Sequence, residues 1–214
     1  MLAAVILSGG ASSRMGSPKA LLAYQGRPFL EHLLEVTMHP KIGERRVVLG
    51  ADAEPIAKNI VLAADEVVVN ADWEKGQLSS VQAAIRSLPP GPGVPPATGG
   101  AAKERATRRT DGLLLCLIDH PLISSALVND LIEQFYAASC TKIVLPMYER
   151  RRGHPVIFPA ALYDELLHAP VDKGARAVVW AHADDVLEVP TNEEGCVLNL
   201  NDPETLLRAT GRAE

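Results

Sequence analysis

Cysteine, long apolar runs and a basic surplus are all in short supply in this chain, and each shortage removes a class of protein. Cys116, Cys140 and Cys196 are the only three cysteines in 214 residues. They stand far apart with no Cys-x-x-Cys pair, so neither a disulfide framework nor a cysteine zinc site is expected, and a reducing, cytoplasmic setting fits. No stretch approaches the roughly eighteen uninterrupted apolar residues of a membrane-crossing helix. The opening MLAAVIL is too short for an anchor and lacks the basic leader of an export signal. With a formal net charge of −5 and both signs interspersed, no broad cationic face is offered to a phosphate backbone or an anionic bilayer. Nucleic acid and membrane are therefore not expected as partners, and no internal repeat is visible.

What is present is a chain 47% hydrophobic, enough to bury a substantial core in one domain spanning 1–214. Apolar runs rich in valine, isoleucine and leucine at Leu2 to Leu7, Val47 to Leu49, Val67 to Val69, Leu113 to Ile118 and Ile143 to Leu145 read as buried strands. Between them, Phe29 to Met38, Glu54 to Ala63, Ser79 to Leu88 and Ser124 to Ala138 repeat apolar residues every three to four positions, the helical period. This alternation predicts a three-layer α/β/α fold whose mostly parallel, Rossmann-like sheet carries ligands at the carboxyl ends of its strands. Two stretches interrupt it. Pro89 to Thr110 (PPGPGVPPATGGAAKERATRRT) reads as a flexible loop with a solvated basic face at Lys103, Arg105, Arg108 and Arg109. Tyr148 to His154 separates one strand from a further strand-like run, Pro155 to Phe158, in the manner of a substrate-side excursion.

The first strand runs into LSGGASSRMGSPKALL, Leu7 to Leu22. Leu7 and Ser8 lie at the strand's exit, and glycines at 9, 10 and 16 let the backbone approach a ligand closely, with successive N–H groups facing phosphate oxygens. Arg14 adds a planar fork of donors and Lys19 a point charge, the pair of fixed cations that a triphosphate needs. A strand-to-helix turn is also where α/β folds place anions. The spacing is neither Gly-x-x-x-x-Gly-Lys-Ser/Thr nor Gly-x-Gly-x-x-Gly, so an ordinary P-loop and a hydride-transferring dinucleotide enzyme both match poorly. The plain alternative is a glycine-rich turn with two surface cations.

LSGGASSRMGSPK resembles the phosphate loop of the molybdenum cofactor nucleotidyltransferases, within the wider nucleotide-diphospho-sugar transferase fold. A nucleoside triphosphate, CTP or GTP, and a small phosphorylated acceptor, a molybdopterin, are the partners that this resemblance implies. GQLSSV, Gly76 to Val81, looks like the family's nucleotide-contacting segment, which points to Gln77, Ser79 and Ser80; helix capping explains Ser79 equally well. RRRGHPVIF, Arg150 to Phe158, resembles the stretch that borders the pterin acceptor in the cytidylyltransferase branch and brings in Gly153 and His154. Its three arginines suit an acceptor phosphate or form an exposed basic loop. DKGAR, Asp172 to Arg176, resembles the same branch and opens a helix.

The run LLLCLIDHP ends its strand in a carboxylate, Asp119. Magnesium prefers one or two carboxylates together with phosphate oxygens and water, so Asp119 is expected to hold Mg²⁺ against the triphosphate; the alternative is a capping aspartate for the next helix. The family's Asp-x-Pro supports the metal reading, with His120 as a departure from its usual pattern, either a strand-end histidine or a ligand. VLNLNDPETL, Val197 to Leu206, resembles the family's closing strand and turn, but asparagine stands at both 199 and 201. Asn201 is expected as a second metal contact through its carbonyl, and Asp202 as a helix N-cap.

The implied chemistry is in-line attack of the acceptor phosphate on the α-phosphorus, with Arg14, Lys19 and Asp119 as the catalytic set. SGG leans toward GTP, whereas RRGHPVIF and DKGAR lean toward CTP, which is favoured. Aromatic residues are scarce in these loops, so base recognition rests on backbone groups and amides. A sugar-phosphate acceptor and a nucleotide sensor without turnover remain as rivals.

Overall fold

The computed structural model describes residues 1–11, 16–89 and 110–210. At its centre lies β1, Leu2–Ser8, every residue of which is buried. It pairs in parallel with β2, Ile42–Leu49, on one side and, after β3, Val67–Val69, with β4, Gly112–Leu117, on the other. The remaining strands of this sheet are β5, Ile143–Tyr148, β6, Arg151–Arg152, β7, Val156–Pro159, and β8, Val186–Pro190; Ala23–Tyr24 and Arg27–Pro28 form a separate two-stranded ribbon. The 8-stranded sheet runs β8-β5-β7-β4-β1-β2-β3, with β6 paired to β5. β7 runs antiparallel to both neighbours and β6 antiparallel to β5, while the other pairings are parallel.

Continuous apolar strands need cover on both faces, and the helices supply it. Alternate residues of β1 enter opposite cores, as the two-residue strand period requires. Leu2, Ala4 and Ile6 pack with Leu30 and Leu33 of α1, Phe29–Val36, Ile56 of α2, Ala53–Asn59, and Leu131 and Phe135 of α4, Ser125–Ala137. Ala3, Val5 and Leu7 pack with Val81 and Ile85 of α3, Gln77–Ser87, Leu166 of α5, Tyr163–His168, and Val178 of α6, Arg176–Ala181. The last helix is α7, Pro203–Thr210. A three-layer, mostly parallel α/β/α architecture is thus formed as expected. Among the described residues no helix is long and apolar enough to cross a membrane.

Several boundaries depart from the sequence reading for identifiable reasons. β2 begins at Ile42 rather than Val47, because Glu44, Arg45 and Arg46 pair with Ala3, Ala4 and Val5. Arg46 is 2% exposed and salt-bridged to Glu44 at 3.0 Å. A paired charge thus occupies a strand position that hydropathy alone rejects. The excursion from Tyr148 is a hairpin: Glu149 (φ 45°) and Arg150 (φ 65°) take left-handed conformations and turn β5 into β6. Pro89 and Thr110, read as ends of the flexible loop, are both buried, and Thr110 Oγ1 lies 3.1 Å from the Tyr163 hydroxyl. Residues 90–109, the body of that loop with its basic cluster, lie outside the described residues. No ladder forms in the closing stretch from Val197; the chain leaves a 3₁₀ turn at Glu194–Cys196 and runs irregularly to α7, and the late strand is β8 instead. Asp202 caps α7 as expected, accepting from Thr205 N at 2.8 Å.

Candidate active site

After β1 the chain moves outward to β2 and β3, then crosses back to lay down β4 on the other side. The crevice between the carboxyl ends of β1 and β4 is therefore the sheet's switch point, where open α/β sheets bind ligands. Ile118 N donates to Leu7 O at 3.1 Å across this mouth. Ser8, Gly9 and Gly10 leave β1 along it; Ser12, Ser13, Arg14 and Met15 lie outside the described residues, so the expected role of Arg14 has no coordinates to weigh.

Gly9 is held by close backbone packing. A Cβ on Gly50, at the end of β2, falls 2.1 Å from the Gly9 carbonyl oxygen and 2.8 Å from Trp73 Cβ. Ala51 N donates to the same oxygen at 3.3 Å. Sequence reasoning passed over Gly50, although a glycine directly behind the apolar run VVL is the available signal for a close backbone approach. The loop returns through Gly16 (φ 68°) into a 3₁₀ turn at Lys19–Leu21. Lys19 Nζ donates to Asn201 Oδ1. Leu200 N donates to Asp119 O at 2.8 Å. The turn after β1, the end of β4 and the strand-like remnant before α7 therefore converge, and they bring Lys19, Asp119 and Asn201 together.

The cleft so formed encloses about 240 Å³, and its walls include Leu7, Ser8, Gly9, Gly10, Lys19, Gln77, Ser80 and Asp119. Asp119 does not cap α4; Ser124 does, its Oγ accepting from Leu127 N at 3.0 Å. Ser79 is a correction. It is 7% exposed and turned inward, accepting from Asn70 Nδ2 at 2.9 Å, with its hydroxyl 2.7 Å from Gly76 O, and it does not line the cleft. Nor is it the N-cap of α3, which is Gly76. Asn70, also missed in the sequence, donates to Ser80 Oγ at 3.0 Å and so fixes the serine that does reach the cleft.

A second cavity of about 610 Å³ adjoins the first and shares Gly76 and Gln77 with it. Gly153 and His154 lie here, with Leu115, Leu145, Val156 and Phe158. A Cβ on Gly153 meets Cys196 O at 2.5 Å, so that glycine answers a packing demand. Of the three arginines in this segment only Arg152 reaches the cavity, and it pairs with Glu188 at 2.7 Å. Arg151 donates to Val197 O at 3.3 Å, and Arg150 sits in the hairpin turn.

His120 and His154 face one another with ring centroids 5.1 Å apart. Their Nδ1 atoms are buried without a hydrogen-bond partner among the described residues. Burial pushes His154 down to about 4, and the neighbouring His120 adds to the effect. Burial likewise holds His120 below the usual imidazole range, while Asp119 opposes it.

Among the described residues no group of three or more His, Cys, Asp and Glu is placed to hold a metal. Mg²⁺ does not need such a group, since a carboxylate plus phosphate oxygens and water satisfies it. The Asp119 side chain is 19% exposed in the cleft wall, its Oδ1 no nearer than 4.0 Å to His120 Nε2, and the Asn201 amide oxygen lies on the same side of the site through Lys19. The Asp119 carboxylate fits a cation shared with phosphate, whereas the Asn201 amide oxygen is taken by the Lys19 ammonium. Asn199 is exposed, and its carbonyl accepts from Asn201 N at 3.2 Å.

A glycine turn, a lysine and a carboxylate around one crevice of a parallel sheet define a nucleotide-binding α/β enzyme. The family model of the MobA-like NTP transferase domain matches residues 4–186, and the chain belongs to that family, a family of nucleotidyltransferases. A molybdenum cofactor guanylyltransferase from Rhizobium meliloti is 27% identical over 96% of this chain and 89% of its own length. A nicotine blue oxidoreductase from Paenarthrobacter nicotinovorans is 29% identical over 74% of this chain and 71% of its own. Among solved structures, Rv0371c from Mycobacterium tuberculosis H37Rv superposes with a TM-score of 0.73 at 26% identity, covering 99% of this chain and 97% of its own.

Proposed function

We propose that the protein transfers the nucleotidyl group of a nucleoside triphosphate to the phosphate of a molybdopterin and releases pyrophosphate, with Mg²⁺ as cofactor. The observation that carries this reading is the convergence of Lys19, Asp119 and Asn201 on the cleft behind β1, beside a second cavity that shares Gly76 and Gln77 with it. Two adjoining cavities suit a reaction that joins two phosphorylated molecules.

An oxygen of the acceptor phosphate forms the new bond to the α-phosphorus. The bond from that phosphorus to the bridging oxygen breaks, and pyrophosphate leaves with the electron pair. No side chain acts as a nucleophile, so the protein's part is positioning and charge neutralisation. The N–H groups of the turn at Gly9 and Gly10 hold phosphate oxygens, Lys19 offsets the charge that grows on the leaving group, and Gln77 and Ser80 orient the nucleotide. Asp119 would hold the metal, and Asn201 would join it once Lys19 turns from the amide to the phosphates; when bound, the metal supplies Lewis-acid neutralisation of phosphate oxygens. Arg14 belongs to this set by its place in the loop.

CTP is favoured as donor by RRGHPVIF and DKGAR. GTP is the second reading, favoured by SGG and by the relative named a guanylyltransferase. Hydride transfer, suggested by the relative named an oxidoreductase, has less support because the turn lacks Gly-x-Gly-x-x-Gly. The test is pyrophosphate release from each of the four triphosphates with Mg²⁺ and molybdopterin, with glucose 1-phosphate as comparison acceptor. Release with molybdopterin and one pyrimidine or purine triphosphate is expected. Binding of a triphosphate with no release would make the protein a sensor, and release with the sugar phosphate alone would replace the acceptor.

A further inference from the structure

The chain has two tryptophans, and each lines one of the two cavities: Trp73 the nucleotide cleft and Trp180 the larger one. Trp180 is 61% exposed, whereas the largest aromatic rings of the core, Phe29, Phe135, Phe158 and Tyr163, are buried. It stands on α6 one turn beyond Arg176, whose guanidinium lies over the indole at 5.3 Å from the ring centroid. Arg176 is itself anchored, donating from Nε to Lys173 O at 3.0 Å. The indole's orientation is thus set while most of its area stays open to the cavity. Behind it the wall is apolar, formed by Leu115, Leu145, Val156 and Phe158.

Charge at the rim points the same way. Lys75 and Arg152 also line the cavity, but each is occupied, by Asp72 at 2.9 Å and Glu188 at 2.7 Å. Lys173 and Arg176 have no carboxylate partner among the described residues, and Asp172 is the one acid on the lining. An open indole, an apolar wall and two cations lacking a carboxylate match a flat ring system that carries an anionic group. A non-planar sugar phosphate offers the anion without the ring.

We infer that Trp180, held by Arg176, is the stacking platform that selects a planar heterocyclic anion as acceptor. It sets specificity rather than taking part in bond making. This rests on the proposed nucleotidyl transfer only in naming the ligand an acceptor; the stacking itself is separable from turnover.

The experiment is a titration of indole fluorescence in the Trp73→Phe protein, in which Trp180 is the sole tryptophan, with a pterin phosphate and with glucose 1-phosphate, corrected against free tryptophan. Saturable quenching by the pterin phosphate alone is expected, with an affinity about tenfold weaker when Arg176→Ala is added. In the otherwise native enzyme, Trp180→Ala should raise KM for the pterin acceptor about tenfold with kcat nearly unchanged, and Trp180→Phe should restore much of the loss. Equal quenching by both ligands, or none, overturns the inference. Quenching without any pyrophosphate release from the native protein leaves the platform standing and removes the enzyme reading; release without quenching does the reverse.

Discussion

Asn201 accepts a hydrogen bond from Lys19 across 182 positions of sequence, and this one contact ties the first loop of the chain to its last. Lys19, Asp119 and Asn201 were legible as candidates because each interrupts a pattern: a lysine after a glycine turn, a carboxylate behind an apolar strand, an asparagine where the related motif has aspartate. That they meet was not legible, since nothing local encodes the register of β4 against β1. Ser79 and Ser80 show the limit. Adjacent serines at a helix start are equivalent in the sequence; Asn70, just after β3, bonds both hydroxyls, but Ser79 alone is also tied to Asp72 O and Gly76 O, and Ser80 alone lines the cleft. Replacing Lys19 by Ala or Asp119 by Asn is expected to reduce kcat for pyrophosphate release by roughly 10²-fold or more, the scale of a lost electrostatic stabiliser. Unchanged release in either variant removes that residue from the site. His154 gives a pH signature. Its folded value near 4 lies below the ordinary 6.5, so between those values the unfolded chain takes up a proton that the native state refuses. Its contribution to stability is complete above pH 6.5 and is lost as pH falls toward 4. Urea midpoints measured across that window should decline, and His154→Gln should flatten the decline.

Among the elements, strands β1, β3 and β4 and helices α1 and α4 were readable to within a few residues because their apolar periods are uninterrupted. β2 was half hidden by Glu44, Arg45 and Arg46, and β6 by the arginines of the hairpin, because salt bridges and a left-handed turn carry no hydrophobic signal. α4 begins where Ser124 both caps it and donates from Oγ to Glu193 Oε1 at 2.5 Å. Ser124→Ala should cost about 1 kcal/mol by chemical denaturation and leave nucleotide affinity intact. Gly50 is where β2 touches the phosphate turn. An alanine there must displace the backbone at Gly9, because neither the carbonyl oxygen at 2.1 Å nor Trp73 Cβ is the end of a flexible side chain. Gly50→Ala is expected to lose about 1–3 kcal/mol of stability and, unlike Ser124→Ala, to weaken triphosphate binding in a titration. Equal nucleotide affinity in the two variants contradicts the view that Gly50 shapes the turn.

Across the whole molecule, function follows from strand order. Because the strand order reverses between β3 and β4, the ends of β1 and β4 stand open side by side, and the loops that leave them share one cleft. The antiparallel insertion of β7 beside β4 brings Gly153 and His154 to the neighbouring cavity, and α6 closes its rim with Trp180. The alternation of strand and helix made the layered sheet legible, whereas the position of β7 was not, since a short apolar run has no direction written in it.

The most direct measurement is the thermal midpoint of the native chain and of Asp119→Asn with each of the four nucleoside triphosphates, with and without Mg²⁺. A ligand at about 100 times its Kd adds roughly 2.7 kcal/mol to the folded state. One triphosphate should raise the native midpoint further when Mg²⁺ is present, and the metal-dependent part of the rise should vanish in Asp119→Asn. An identical metal-dependent rise in both proteins, or no rise with any triphosphate, contradicts a nucleotide cleft whose cation is held at the end of β4.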